Sequence, residues 1–236
     1  MSYKKITNCR ISGSGNLINI LDLGLQPLAN SLKKNKDDFE VKVPLTISYC
    51  PDSSLVQLNE TVDKNILFSH YLWVTGTSAG AKKYSEVFYQ KVVAQVGVKH
   101  NDFIIEIASN DGMFLRPFIS NGFTNTIGVD PASNIAKIAN ESGVKTINAF
   151  WNLELSKKLV AENGKAKLIF ARNVIPHVEE LLDVIAGIEN VLDENGIGII
   201  EFHHVLGILK DVQYDSVYHE HLCYFSIKSM LTLIHI

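Results

Sequence analysis

The stretch SVYHEHLCYF, residues 216–225, sets Tyr218, His219, Glu220 and His221 side by side. An imidazole titrates near neutral pH, so it can take a proton from carbon or ligate a metal. A carboxylate beside it can fix its tautomer. A tyrosine hydroxyl can hydrogen-bond an oxygen on which negative charge develops. Three chemistries are therefore open: a catalytic acid/base group, a metal site, or a buried polar knot with no chemistry. His203 and His204 could add ligands to the H-x-H pair at 219 and 221. No further ligand of assured geometry accompanies them, and no metal is assigned. In an extended segment Tyr218, Glu220 and Leu222 share one face and His219 and His221 the other, a restriction that a loop relaxes.

A second candidate site is E-I-A-S-N-D-G, Glu106 to Gly112, at the end of an apolar run. A dinucleotide site prefers G-x-G-x-x-G at such a turn, where backbone amides approach a pyrophosphate. Here an acid stands inside the strand end and one glycine, Gly112, follows, which suits a cofactor without phosphates. The next apolar run ends in Asp130, an acid placed to accept hydrogen bonds from a ribose diol. Together, E-x-[GA]-x-x-x-G and this aspartate resemble the S-adenosylmethionine fold more than a nicotinamide fold. That resemblance implies that the turn from Asn110 to Gly112 faces the methionine part and that Asp130 binds the ribose. It also implies that Phe150 and Trp151 flank the adenine and that Asn173 lies by the methyl donor. Ala108 replaces the usual first glycine, and its methyl either crowds the cofactor or is tolerated if the backbone stays at φ < 0.

The elements that must position these residues are legible as alternating runs. FIIEIA (103–108), TIGVD (126–130), KTINAF (145–150), KLIFARNV (167–174) and GIGIIEFHHV (196–205) are short and apolar, and helical stretches separate them. Five such units predict a parallel, doubly wound α/β sheet of Rossmann-like type. Its ligands bind beyond the carboxyl ends of the strands. Ahead of it, AKKYSEVFYQKVVAQVG carries Tyr84, Val87, Phe88, Val92 and Val96 at helical spacing, with Gly97 as a stop. Residues 1–62 hold strand-like runs (LINILDLG, VPLTISYC, SLVQLNET) broken by Gly, Pro, Asn and Asp, the texture of a small β-rich module. KKNKDDFE at 33–40 reads as an exposed charged loop. The expected division is thus a β-rich module at 1–62, a helical connector at 63–98 and an S-adenosylmethionine-binding methyltransferase domain at 99–236.

The composition narrows the function classes. Of 236 residues 46% are hydrophobic and 20% charged, as in a globular protein with a sizeable core. A net charge of −3 gives no electrostatic case for nucleic acid or an anionic membrane. No apolar run approaches the roughly 18 residues of a membrane span, and MSYKKITNCRIS lacks the apolar region of a signal peptide. Three cysteines argue against a disulfide framework, and the expected location is cytoplasmic.

Several separated stretches agree with one family: LDLGLQPLANSL (21–32), PDSSLVQLNETVD (51–63), YLWVTGTSAGAKKY (71–84), EIASNDGMFLRPF (106–118), GVDPASNIA (128–136), ARNVIPHV (171–178) and YHEHLCYFS (218–226). The chain resembles the S-adenosylmethionine-dependent C-methyltransferases that act on nucleotide-linked keto-deoxysugars. Such proteins combine a zinc-binding domain, a methyltransferase domain and a C-terminal nucleotide-sugar domain. The resemblance implies methyl transfer from S-adenosylmethionine to a ring carbon of a nucleotide-linked 4-keto-deoxysugar through an enolate. It makes His221 the base, with Tyr218 and Glu220 positioning it or the substrate. It places Tyr71 and His177 in the active site, Thr77 and Ser78 by the cofactor's carboxylate, and Glu106, Ala108, Asn110, Gly112, Asp130, Phe150 and Asn173 around the cofactor.

Two departures from the family stand out. Its two CxxC pairs read here Cys9-Arg-Ile-Ser12 and Cys50-Pro-Asp-Ser53, so no tight zinc is expected. Cys223 is expected to be a small buried side chain. The sequence also stops in the helix after YHEHLCYFS, where the family adds two strands and its third domain. GIGIIEFHHV would then form an apolar sheet edge. The expectation is a truncated chain, or one piece of a split protein whose remainder a separate chain supplies. The rival readings are a remnant that only binds S-adenosylmethionine or a partner chain, and an O-methyltransferase with the same cofactor site.

Overall fold

The computed structural model describes residues 3–235. Its strands are β1 (Tyr3–Lys5), β2 (Ile18–Pro27), β3 (Lys42–Cys50), β4 (Leu55–Leu58), β5 (Glu60–Val62), β6 (Ile104–Ile107), β7 (Thr126–Asp130), β8 (Thr146–Asn148), β9 (Ala166–Arg172), β10 (Leu192–Glu201) and β11 (Cys223–Tyr224). The chain divides into two compact units, both discontinuous in sequence. The first takes the residues up to Leu67, Asn173–Leu182 and those from Phe202 onward, and the second takes Phe68–Arg172 and Asp183–Glu201. Boundaries at 62 and 98 describe the order of segments along the chain rather than this grouping.

The second unit is the doubly wound sheet. Its strands run in the order β10-β9-β6-β7-β8, and every neighbouring pair is parallel. The chain starts in the middle at β6, moves outward through β7 and β8, then returns to β9 and β10. Right-handed crossovers in the two directions put their helices on opposite faces, and the direction reverses between β6 and β9. Strands β6 and β7 are buried along their whole length, as a sheet covered on both faces requires. Phe88, Phe114, Phe118 and Phe170 lock together in the core. The helix Ala79–Val96 begins on the hydroxyl of Ser78, which accepts from the Ala81 amide, and ends at Gly97 with φ 69°. Its buried residues are Ser85, Phe88 and Val92, whereas Tyr84 and Val87 of the expected stripe are exposed, Tyr84 at the rim of the core with its ring against Phe114.

The fifth strand differs from the expected span. It runs from Leu192 to Glu201 and occupies a sheet edge, while Phe202–His204 lead into the short helix Val205–Lys210. At its end Glu201 stands opposite Arg172 of β9 and accepts from Arg172 at 2.9 and 3.3 Å. The Tyr84 hydroxyl donates to the same carboxylate at 2.7 Å.

The first unit holds a four-stranded sheet, β11-β4-β3-β2, antiparallel throughout, and the antiparallel pair β1-β5. Its core includes Leu28, Val43 and Val62. The run LINILDLG forms the edge strand β2, with Ile18, Ile20 and Leu25 exposed rather than buried. Residues 33–40 are a mostly exposed loop, as their charge dictates. YHEHLCYFS is anchored on this sheet: Cys223 pairs with Gln57, Tyr224 with Val56, and the Leu58 amide donates to Leu222 O at 2.9 Å. No helix among the described residues is long and apolar enough to cross a membrane.

Candidate functional site

In the first unit the turn Tyr214–Ser216 and strand β11 bracket residues 217–222. His219 is 1% exposed, and its Nε2 lies 3.2 Å from both Val43 O and Pro44 O. Two carbonyl acceptors require Nε2 to carry the proton, so His219 ties the segment to β3. His221 is presented differently. Its Nδ1 lies 2.7 Å from Ser216 O, which fixes the proton on Nδ1. Its Nε2 then accepts from the Tyr218 hydroxyl at 3.2 Å. Burial pushes the His221 pKa below the usual imidazole value and His203 adds to the shift, while the Ser216 bond opposes it. The ring is therefore neutral at pH 7, with its lone pair on Nε2.

His177 packs edge-on against His221 with ring centroids 4.7 Å apart. It also bonds the backbones of Glu220 and Asn173. Burial first, and then His221, lower its pKa to about 3. Of the two parts expected of Glu220, positioning His221 or the substrate, the structure does not bear out the first. Its Oε1 accepts from the Asn30 side chain at 2.6 Å, and the tautomer of His221 is set by a backbone carbonyl instead. Neighbours along an irregular segment point apart, which is why adjacency misled. Burial raises the Glu220 pKa, and the Asn30 bond opposes the shift. Asn30 belongs to LANSL, a stretch quoted for the family resemblance, but nothing in its type marked it. The Ser216 carbonyl carried no sequence signal at all.

In the second unit the turn after β6 gathers acidic and polar groups. Glu106 is 2% exposed, and burial raises its pKa well above the usual carboxylate range. Arg172 opposes this shift, and Asp130 and Asp111 add to it. Among the described residues, Glu106 Oε2, Ser109 Oγ and Asp111 Oδ1 are buried with no hydrogen-bond partner. Ala108 adopts φ 53° and Asn110 φ 50°, so the condition of φ < 0 under which the Ala108 methyl is tolerated is not met: the turn takes the left-handed region even without glycine. Gly112 has φ 79°, and a Cβ there would meet Val144 at 2.6 Å. Asp130 accepts from the Asn110 amide at 2.8 Å and the Ala132 amide at 2.9 Å. Burial raises its pKa and these two amide bonds oppose the rise.

The Asn110 side chain faces protein: it accepts from the Thr75 amide at 2.8 Å and donates to Trp73 O at 3.0 Å. Asp111 Oδ2 accepts from the Gly76 amide at 3.1 Å, and Arg116 donates to the Asp111 carbonyl at 2.8 Å. Asn110 and Asp111 thus hold the segment 73–76 to the turn, a role the motif alone did not reveal. Thr77 and Ser78 use their hydroxyls locally, Thr77 on Val74 O and Ser78 as the helix cap. Tyr71 exchanges backbone bonds with the Asn134 side chain at 3.1 and 2.8 Å. Phe150 follows β8 and is half-buried, and the Trp151 indole donates to Val184 O at 3.2 Å. Asn173 follows β9 with φ 50° and belongs to the first unit.

The two degenerate CxxC turns, also in the first unit, do converge. Cys9 Sγ lies 3.1 Å from Ser53 Oγ, and Ser12 Oγ lies 3.7 Å from Cys50 Sγ. No group of three or more His, Cys, Asp or Glu able to hold a metal occurs among the described residues.

Comparison with known proteins gives a consistent frame. Residues 83–235 match the family model described as "Methyltransferase domain", and residues 9–68 match one described as "Putative zinc binding domain". The chain is 30% identical over 232 residues to the C-methyltransferase NovU of Streptomyces niveus, covering 98% of this chain and 55% of that protein. The chain thus spans about half the length of this curated relative. Among solved structures, the PH0226 protein of Pyrococcus horikoshii superposes with a TM-score of 0.55 at 16% identity, over 74% of this chain and 88% of that one. A SAM-dependent methyltransferase of Archaeoglobus fulgidus gives 0.54 at 13% identity, over 65% and 67%. The chain belongs to the methyltransferase family, and its fold is the Rossmann-like fold of S-adenosylmethionine-dependent methyltransferases with an antiparallel β-rich N-terminal region.

Proposed function

We propose that this member of the methyltransferase family transfers a methyl group from S-adenosylmethionine to a ring carbon of a nucleotide-linked 4-keto-deoxysugar. The observation that carries this reading is the state of His221: neutral, with its proton on Nδ1 toward Ser216 O and its lone pair on Nε2. Carbon is not nucleophilic until a proton is removed, whereas a hydroxyl needs less help, so a prepared base favours C-methylation. The name of NovU, a C-methyltransferase, supports the same reaction class. The seven family-like stretches support the sugar substrate.

The turn after β6 fits the cofactor. Its buried acceptors at Glu106, Ser109 and Asp111 suit a ligand rich in amino and hydroxyl donors. Asp130 uses two lone pairs on backbone amides and keeps the others for a ribose diol. S-adenosylmethionine, when bound, supplies an electrophilic methyl group. In the proposed reaction His221 Nε2 takes the proton from the carbon next to the ketone. The electron pair moves onto the carbonyl oxygen, giving an enolate. The Tyr218 hydroxyl, which donates to Nε2 at 3.2 Å, turns its proton to that oxygen. Ser216 O stabilises the imidazolium that forms, through the Nδ1 proton it already accepts.

The test has two readouts. Calorimetry with S-adenosylmethionine should show binding to the full chain. In deuterated water, a keto-deoxysugar nucleotide should exchange the proton next to its ketone with the wild type and not with His221→Asn. Binding without exchange or transfer would favour a second reading, in which the chain holds S-adenosylmethionine or a partner chain and turns nothing over.

A further inference from the structure

The residues that match the zinc-binding family do not offer what zinc needs. A closed structural zinc site takes four thiolate or imidazole ligands in a tetrahedron. Here the two turns present two thiols and two serine hydroxyls, and an aliphatic hydroxyl does not deprotonate near neutral pH. The four side chains instead satisfy one another. Each turn contributes one sulfur and one oxygen, and the pairs cross between turns: Cys9 with Ser53 at 3.1 Å and Ser12 with Cys50 at 3.7 Å. The Cys50 sulfur also meets the Ser53 hydroxyl and amide and the Cys9 thiol, so all four positions converge on it.

The buried Ser53 hydroxyl proton has little choice of direction. Ser12 Oγ accepts from the Ser14 amide at 3.4 Å, and Ser53 Oγ accepts from the Leu55 amide at 3.3 Å. Each hydroxyl then has one proton left, and sulfur is its near acceptor. Cys9, Cys50 and Ser53 are all at most 3% exposed, so water does not compete for the Cys9–Ser53 bond, whereas Ser12 is exposed and its bond to Cys50 is the weaker half of the pair.

We propose that this knuckle is a metal-free clasp. Hydrogen bonds between thiols and hydroxyls close the two turns that four cysteines would close around zinc, and the backbone keeps the spacing of a metal site. The clasp therefore holds β3 and β4 to the N-terminal segment without metal, and two substitutions, Ser12→Cys and Ser53→Cys, recreate a zinc site.

Metal content and melting of the full chain test this. After dialysis against a mild chelator, the wild type should retain under about a tenth of a zinc ion per chain and melt at the same temperature with or without EDTA. The S12C/S53C variant should take up about one zinc per chain and melt lower once the metal is removed. About one zinc retained by the wild type, or a lower melting temperature on chelation, overturns the clasp. A folded double variant that takes up no zinc overturns the claim that the spacing is kept. If the double variant does not fold, Cys9→Ser and Cys9→Ala decide. The clasp predicts that C9S, which can still bond Ser53, melts above C9A, and equal melting contradicts it.

Discussion

The turn after β6 and the His221 ring before β11 treat buried polar atoms in opposite ways. In the turn, three buried oxygens, Glu106 Oε2, Ser109 Oγ and Asp111 Oδ1, have no partner among the described residues, and Ala108 and Asn110 sit in the left-handed region. At His221 both ring nitrogens are engaged, one by Ser216 O and one by Tyr218, whereas its neighbours His219 and Glu220 each keep one buried atom, Nδ1 and Oε2, with no partner among the described residues. An unsatisfied buried oxygen costs about 1–3 kcal/mol, so a ligand that completes the three in the turn would recover that cost on binding. A satisfied imidazole with its tautomer fixed is built to receive a proton. On the proposed function this difference is that between a binding region and a reacting one, although both are rich in the same residue types.

Substitutions can break or sharpen that contrast. The largest effect is expected for His221→Asn, which should slow exchange of the proton beside the ketone by roughly 10²–10⁴-fold and leave S-adenosylmethionine affinity nearly unchanged. Equal losses in both would erase the distinction. Gly112→Ala forces a Cβ to within 2.6 Å of Val144 at φ 79°. It should destabilise the chain by about 3 kcal/mol in urea unfolding, from strain plus overpacking. Asp130→Asn keeps the shape but removes the charge, and should weaken S-adenosylmethionine roughly tenfold or more by calorimetry. Tyr218→Phe should slow exchange about tenfold without altering cofactor affinity, because it removes one hydrogen bond from the enolate.

The smallest effect at neutral pH is expected for His177→Asn. The wild-type ring has a pKa of about 3 in the folded chain, below the ordinary 6.5. Between these values the unfolded chain binds the extra proton, so the contribution of His177 is full above pH 6.5 and falls as the pH drops toward 3. The stability of the variant should decline less steeply than that of the wild type over this window. Raised carboxyls such as Glu106 and Glu220 act in the opposite sense, but both proteins share them, so the difference curve isolates His177.

Much of the sheet was legible because short apolar runs ended by Asp130, Gly97 and similar signals obey local rules. The five parallel strands and the helix on Phe88 and Val92 follow from periodicity alone. What escaped depends on long sequence separations. Strand β11 is two residues long and pairs with Gln57 and Val56, more than a hundred and sixty positions earlier, so no local pattern announces it. LINILDLG reads as a strand and is one, but its exposure at an edge was not legible, because period and composition do not say which neighbour covers a face. In the candidate site, His221 and Tyr218 were visible as residue types and do meet. The partner of Glu220 was not visible, since Asn30 lies 190 positions away. Backbone donors and acceptors such as Ser216 O leave no trace in a sequence.

The central claim is that His221 prepares a carbon, not an oxygen, to accept the methyl group. The most direct measurement is carbon NMR of the product formed from methyl-labelled S-adenosylmethionine and a nucleotide-linked 4-keto-deoxysugar, with the wild type and His221→Asn in parallel. The account predicts a labelled methyl on the ring carbon beside the ketone with the wild type and almost none with the variant. A labelled methyl on oxygen, or C-methylation undiminished in the variant, would contradict it.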